Sequence, residues 1–268
     1  MPLKTLFIAW KDTAKTRAWF PVGRLDADLP GNQYRFRYVK GAKEAEVYGF
    51  KALDSFPDLH GDYRASELFP LFANRLQNPS RPSFREYLQR LDVTYDPPEA
   101  FDSIAMDLLA VSEGQRATDS LEVFPKVERG PDGTFAMKFF LHGWRHIHPY
   151  AEERIGKLQA GEALGVSLET TNPVTRFALQ IQTQDNVIIG WVPRYLVDDL
   201  VHITFEGCPV EASVTRLNPP PAPPGQRVMI CFRGCWPQGY SPMNGEKFFP
   251  LTGDVETEGG CEPLVMAH

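Results

Sequence analysis

One break divides this chain, and it limits the fold more than any other feature. "VERGPDGTF" at residues 127–135 brings Gly130, Pro131, Asp132 and Gly133 together, a composition that interrupts regular structure on both sides. Beyond it the apolar runs are short. "FAMKFFLHGW" (135–144), "ALGVSLETT" (163–171), "RFALQIQTQ" (176–184) and "NVIIGWV" (186–192) each read as a strand. "TQDN" closes a hairpin between the last two, and "PYAEERIGKLQAG" is a weakly helical loop between the first two. "PRYLVDDLVH" (193–202) follows as a short helix. Four or more short strands at this spacing predict a small barrel, OB- or SH3-like, with one or two helices.

Before the break the pattern is mixed. "TLFIAW" (5–10) is a continuous apolar run, as in a buried strand. "YRFRYV" (34–39) alternates Tyr34, Phe36 and Tyr38 with Arg35 and Arg37, which predicts a half-buried strand with a basic outer face. "SELFPLFANRL" (66–76) places Leu68, Phe69, Phe72 and Leu76 on one helical stripe, with Ser66 as N-cap and Pro70 in the first turn. "SFREYLQRL" (83–91) opens with Ser83 and Glu86 at capping-box spacing. The fold class is therefore α+β: a mixed α/β module over 1–128, then a barrel over 134–217. A third segment, 218–268, holds a proline-rich spacer, "NPPPAPPG", and a terminal strand, "QRVMICFRGCWP", before a tail.

At 268 residues the chain buries a real core without staples, and four cysteines do not make a disulfide framework. No run approaches the apolar length of a membrane-spanning helix, and "MPLKTLFIAWKDTAKTR" reads as a first strand rather than a signal peptide. A cytoplasmic protein with no membrane partner is expected. The net charge of −6 argues against general polyanion binding. Its distribution is uneven: residues 1–50 hold Lys4, Lys11, Lys15, Arg17, Arg24, Arg35, Arg37, Lys40 and Lys43 against five acids, so local basic surface is expected.

Chemistry-bearing motifs are absent. No phosphate-cradling glycine loop, nucleophile elbow or H-E-x-x-H occurs, so the expectation is a protein that is not an enzyme and carries no cofactor. Cys231 and Cys235 lie four apart without a second thiol pair, which favours ordinary buried cysteine over zinc. His142, His146 and His148 share parity, so a continuous strand would show them on one face. Residues two apart on a strand are roughly 7 Å apart, wide for shared metal ligands, so a hydrogen-bonding surface cluster is expected over a metal site. Asp102 and Asp107 read as a solvated helix face.

Residues 139–200 resemble the HIRAN domain. Gly143, Arg145, Gly161, Leu164, Val166, Leu168, Asn172, Pro173, Gly190, Trp191, Val192, Pro193 and Arg194 fall in the order and spacing of that family's pattern. The resemblance implies an OB-like barrel that binds DNA, as single strands or 3′ ends. On this chain the implied contacts are Arg145, His146, Asn172, Arg176, Trp191 and Arg194. Arg and Asn would meet phosphates or base edges, and Trp191 and His146 would stack on bases. The other reading of three of these residues is structural: Trp191 and Val192 fill the barrel, and Arg194 pairs with Asp198 four residues on. More faintly, residues 5–125 resemble the N-terminal subdomain of HipA-type kinases, through "YRASELFPLFANRL" and "MDLLAVSEGQRATDSLEVFP". That likeness implies a second reading, a protein-interaction module that sits against a kinase or toxin with the barrel as scaffold.

Overall fold

The computed structural model describes residues 3–13, 16–95, 101–116, 118–144, 147–172 and 176–252, residue 176 in its backbone only. Two antiparallel sheets organise the chain. The first contains β1 (Lys4–Lys11), β2 (Trp19–Asp28), β3 (Gln33–Tyr38), β4 (Asp62–Ala65) and β5 (Leu121–Pro125), in the order β4-β3-β2-β1-β5. Helices α1 (Gly41–Val47), α2 (Pro70–Ala73), α3 (Phe84–Leu91) and α4 (Asp102–Ser112) belong to the same half.

The apolar run of β1 is continuous because both of its faces are buried. Leu6 and Ile8 enter a core shared with Tyr34, Phe36, Tyr38, Phe72 and Ala105, on the helical side of the sheet. Phe7 and Ala9 enter a different core, shared with the second sheet. Arg37 on β3 does not form part of a basic outer face. It is buried and pairs with Asp26, because β2 and β4 flank β3 and leave it no open edge. The helix expected over 66–76 shrinks to the four residues of α2, with Phe69 and not Ser66 at its N-cap. Ser83 does cap α3, but its side chain makes no capping hydrogen bond.

The second sheet contains β6 (Thr134–Phe140), β7 (Ala163–Asn172), β8 (Arg176–Gln182), β9 (Ile188–Trp191), β10 (Val210–Leu217) and β11 (Val228–Cys235), in the order β6-β11-β10-β7-β8-β9. Helix α5 (Pro149–Ile155) precedes β7, and α6 (Arg194–Phe205) follows β9. The sheet curls like a barrel wall. Beyond β6 the chain meets β9 again, where His142 and Trp191 exchange backbone hydrogen bonds of 3.1 and 2.9 Å. Two glycines permit this closure. Gly190 lies so near the His142 carbonyl that a Cβ would come within 2.6 Å of it, and Gly143, at φ +69°, lies under the Trp191 ring.

The terminal strand expected after the proline run is β11, and the tail expected beyond it lies outside the described residues past 252. β11 runs between β6 and β10 in the second sheet. The proline run joining β10 to β11 is tied down at several points: Asn218 Nδ2 donates to the carbonyls of Arg90 (3.0 Å) and Gln226 (2.7 Å). Trp144 Nε1 donates to the Pro224 carbonyl, and Arg227 Nε to that of Ala222.

One apolar core bridges the two sheets. Phe7, Ala9 and Phe124 of the first, with Val39 just past β3, pack with Phe139, Leu179, Ile189 and Phe232 of the second and with Leu196 of α6. The Phe124 and Tyr195 rings stack 4.6 Å apart across this junction. Smaller contacts reinforce it, with Phe140 and Met229 against Leu88, Leu91 and Leu108. Asp92, in the left-handed C-cap of α3, pairs with Lys138 on β6 and Arg216 on β10.

Candidate nucleic-acid interface

The structure joins two of the six expected contact residues. Trp191, half-buried on the outer face of β9, donates through Nε1 to Glu169 Oε2 at 2.8 Å. Asn172 Nδ2 donates to the same oxygen at 3.0 Å. Glu169 was not singled out from the sequence, yet it is the acceptor that holds both. Val192, by contrast, fills the interior at 3% exposed. Arg194 stands apart from this group. Its Nη1 donates to the Arg17 carbonyl at 2.9 Å, while Asp198, its expected partner, pairs with Lys247. Arg176 pairs with Asn172 across the β7–β8 hairpin through its backbone. Arg145, His146 and Pro173 lie outside the described residues.

Of the expected histidine cluster, His142 and His148 are described and do not share a surface; His146 lies outside the described residues. β6 ends at Phe140, so the period of two stops before His142. His142 turns inward, whereas His148 caps α5 by accepting from the Tyr150 amide.

His142 enters a partly buried ionisable cluster at the junction of the sheets, which strand alternation explains. Phe7, Ala9 and Lys11 share one face of β1, the face toward the second sheet. Glu122 on β5 stands opposite Ala9, two residues before Phe124, and so shares that face. Glu113 follows α4 in a left-handed C-cap (φ +57°), fixed by the Val123 amide donating to its carbonyl at 2.7 Å. His142 Nε2 lies 2.8 and 2.9 Å from the two Glu113 oxygens. The buried Tyr195 packs beside Glu113 and feels its charge.

The electrostatics follow from this crowding. Burial first, then the Glu113 charge, push the Glu122 carboxyl up to about 7. Burial opposes charge on His142, but the charge and hydrogen bond of Glu113, with help from Glu122, outweigh it and raise the imidazole to about 9. Burial and the same two carboxylates hold the Tyr195 phenol well above its usual range.

Three cations border the cluster: Lys11 and Arg17, exposed, and Arg194, half-buried. Lys11 and Arg194 are both lowered, first by burial and then by neighbouring charge, and Glu122 partly offsets this in each. Among the described residues none of the three makes an ion pair, whereas Lys4, Arg24, Arg35, Arg37, Arg75 and Arg154 all do. This unpaired basic rim lies at the start of α6, three residues past Trp191. The uneven basic count of residues 1–50 hinted at Lys11 and Arg17. Nothing in the sequence joined them to Arg194.

No protein-family model and no curated protein matches the sequence. Among solved structures the chain is similar to a crystal structure of a protein from Lactobacillus plantarum. Their identity is 18%, covering 38% of this chain and 97% of that one, with a TM-score of 0.31. It is also similar to the HIRAN domain of human HLTF, at 13% identity, covering 41% of this chain and 84% of that one, with a TM-score of 0.31. At those scores neither likeness carries an argument about activity. Among the described residues, no helix is long and apolar enough to cross a membrane.

Proposed function

We propose that the protein is a non-enzymatic DNA-binding protein, and that single strands or strand ends are its ligand. The observation that supports this reading best is the basic rim of Lys11, Arg17 and Arg194. In a chain of net charge −6, three neighbouring cations without an ion-pair partner among the described residues are poised for an external anion. Phosphates are the natural match, since neutralising them releases condensed counterions. Trp191 offers a half-buried ring near the rim in sequence, and Glu169, which already orients that ring, supplies an acceptor for a base amino group or terminal hydroxyl. A HIRAN-like mode is the form this reading takes.

A polarisation panel of single-stranded, duplex and 3′-overhang DNA at two salt concentrations tests it. Binding that weakens with salt and favours single-stranded or overhang forms is expected. Absence of binding to every form at low salt contradicts the reading. The interaction-module reading would then lead, with the exposed Val47 and Tyr48 at the end of α1 as the surface to probe.

A further inference from the structure

We propose that Glu113, Glu122 and His142 form a binding site for a divalent transition-metal ion, a role separate from the DNA-binding reading. One donor atom from each residue lies within 4.8 Å of the others. First-row ions hold nitrogen and oxygen ligands at about 2.0–2.2 Å, so ligands at right angles lie about 3.0 Å apart and opposed ligands about 4.2 Å apart. His142 Nε2 and the Glu113 oxygens, hydrogen-bonded at 2.8 and 2.9 Å, already converge to near the first spacing, so an ion would replace the proton between them.

Charge and chemistry agree with the geometry. Binding an ion displaces to solvent the proton that His142 shares with Glu113. The two carboxylates and the neutral imidazole that remain carry −2, which a divalent ion cancels inside a region where unmatched charge is costly. Imidazole with carboxylate suits Zn²⁺, Mn²⁺, Fe²⁺ or Co²⁺.

The donors also sit on a rigid frame. Glu122 is in a central residue of β5, Glu113 is pinned through its carbonyl, and His142 through its backbone bonds to Trp191.

A separate observation concerns Trp19. Its indole nitrogen is buried beside this junction and finds no hydrogen-bond acceptor among the described residues. Lys11, Arg17 and Arg194 oppose a bare cation. They favour instead an anionic or water oxygen in the coordination position that three protein ligands leave open.

Visible absorption on titrating Co²⁺ into metal-free protein tests the site, in a Cys235→Ser background that removes an exposed thiol. A saturable band at one equivalent is expected, without the near-ultraviolet thiolate band. Glu122→Gln should weaken it by at least the roughly 10–100-fold seen for outer-shell changes. His142→Gln serves as the second variant, and either folded variant decides. No band from the parent protein, or equal affinity in a folded variant, overturns the proposal. DNA polarisation with Glu122→Gln separates the two ideas, because the basic rim is intact there and binding should persist.

Discussion

Two buried carboxylate sites in this molecule are built in opposite ways. Asp26, on β2, accepts from Arg24 Nε at 2.8 Å, Arg37 Nη2 at 3.4 Å and Thr5 Oγ1 at 2.6 Å. One carboxylate there faces two guanidiniums, and its charge is more than answered within the protein. At the junction of the sheets, two carboxylates share one imidazole. The first arrangement is closed and structural. The second leaves capacity for another cation, and it lies beside cations that lack anions. Which ligand a site can take thus depends on what its neighbours leave unmatched, not on how many charged residues it contains.

The largest effect should come from breaking the closed site. Asp26→Ala leaves Arg37, 4% exposed, without its carboxylate, and removal of one partner from a buried pair costs about 3–5 kcal/mol. Chemical denaturation measures this. Glu122→Gln in chelator should be no less stable than wild type, because it removes one of two crowded like charges. Equal losses in the two variants would erase the distinction between the sites.

A smaller effect is expected at Asp92, a paired carboxylate that is partly open to solvent. Hydrogen bonds from Lys138 and Arg216, opposed by some burial, hold its pKa below the ordinary 3.8. The folded value is depressed, so the stabilisation is present above the ordinary value. It disappears as pH falls below 3.8 through the lowered one. Asp92→Asn should cost about 0.5–1 kcal/mol at neutral pH, and this difference should vanish in acid, as read by melting temperature across pH. Asn tolerates the left-handed backbone at this position (φ +55°), so the change isolates charge.

The barrel strands were legible because Leu179 and Ile181 alternate with polar neighbours, and because "TQDN" makes the turn that the structure shows, with Asn186 donating to the Thr183 carbonyl. The junction was not legible. In "LEVFP" a glutamate lies in phase with Phe124, and only strand assignment with its pairing to β1 reveals that it points into a core. Glu113 was hidden because its place depends on a left-handed cap beside a distant histidine. The proline run misled for a related reason. Its composition predicts an extended spacer, but the side chains that anchor it, Asn218, Arg227 and Trp144, follow no period. Trp191 and Asn172 were found through a family pattern, but the carboxylate joining them was visible only in three dimensions.

The central claim is that the basic rim binds phosphates, and the most direct measurement is the salt dependence of single-stranded DNA affinity for the Arg17→Ala, Arg194→Ala double variant. Each lost phosphate contact should remove about 0.7 from the slope of log affinity against log salt for single strands. The account predicts a slope shallower by about 1.4 for the pair of substitutions, in a protein whose melting temperature is little changed. A slope and affinity equal to wild type in the folded double variant would contradict it.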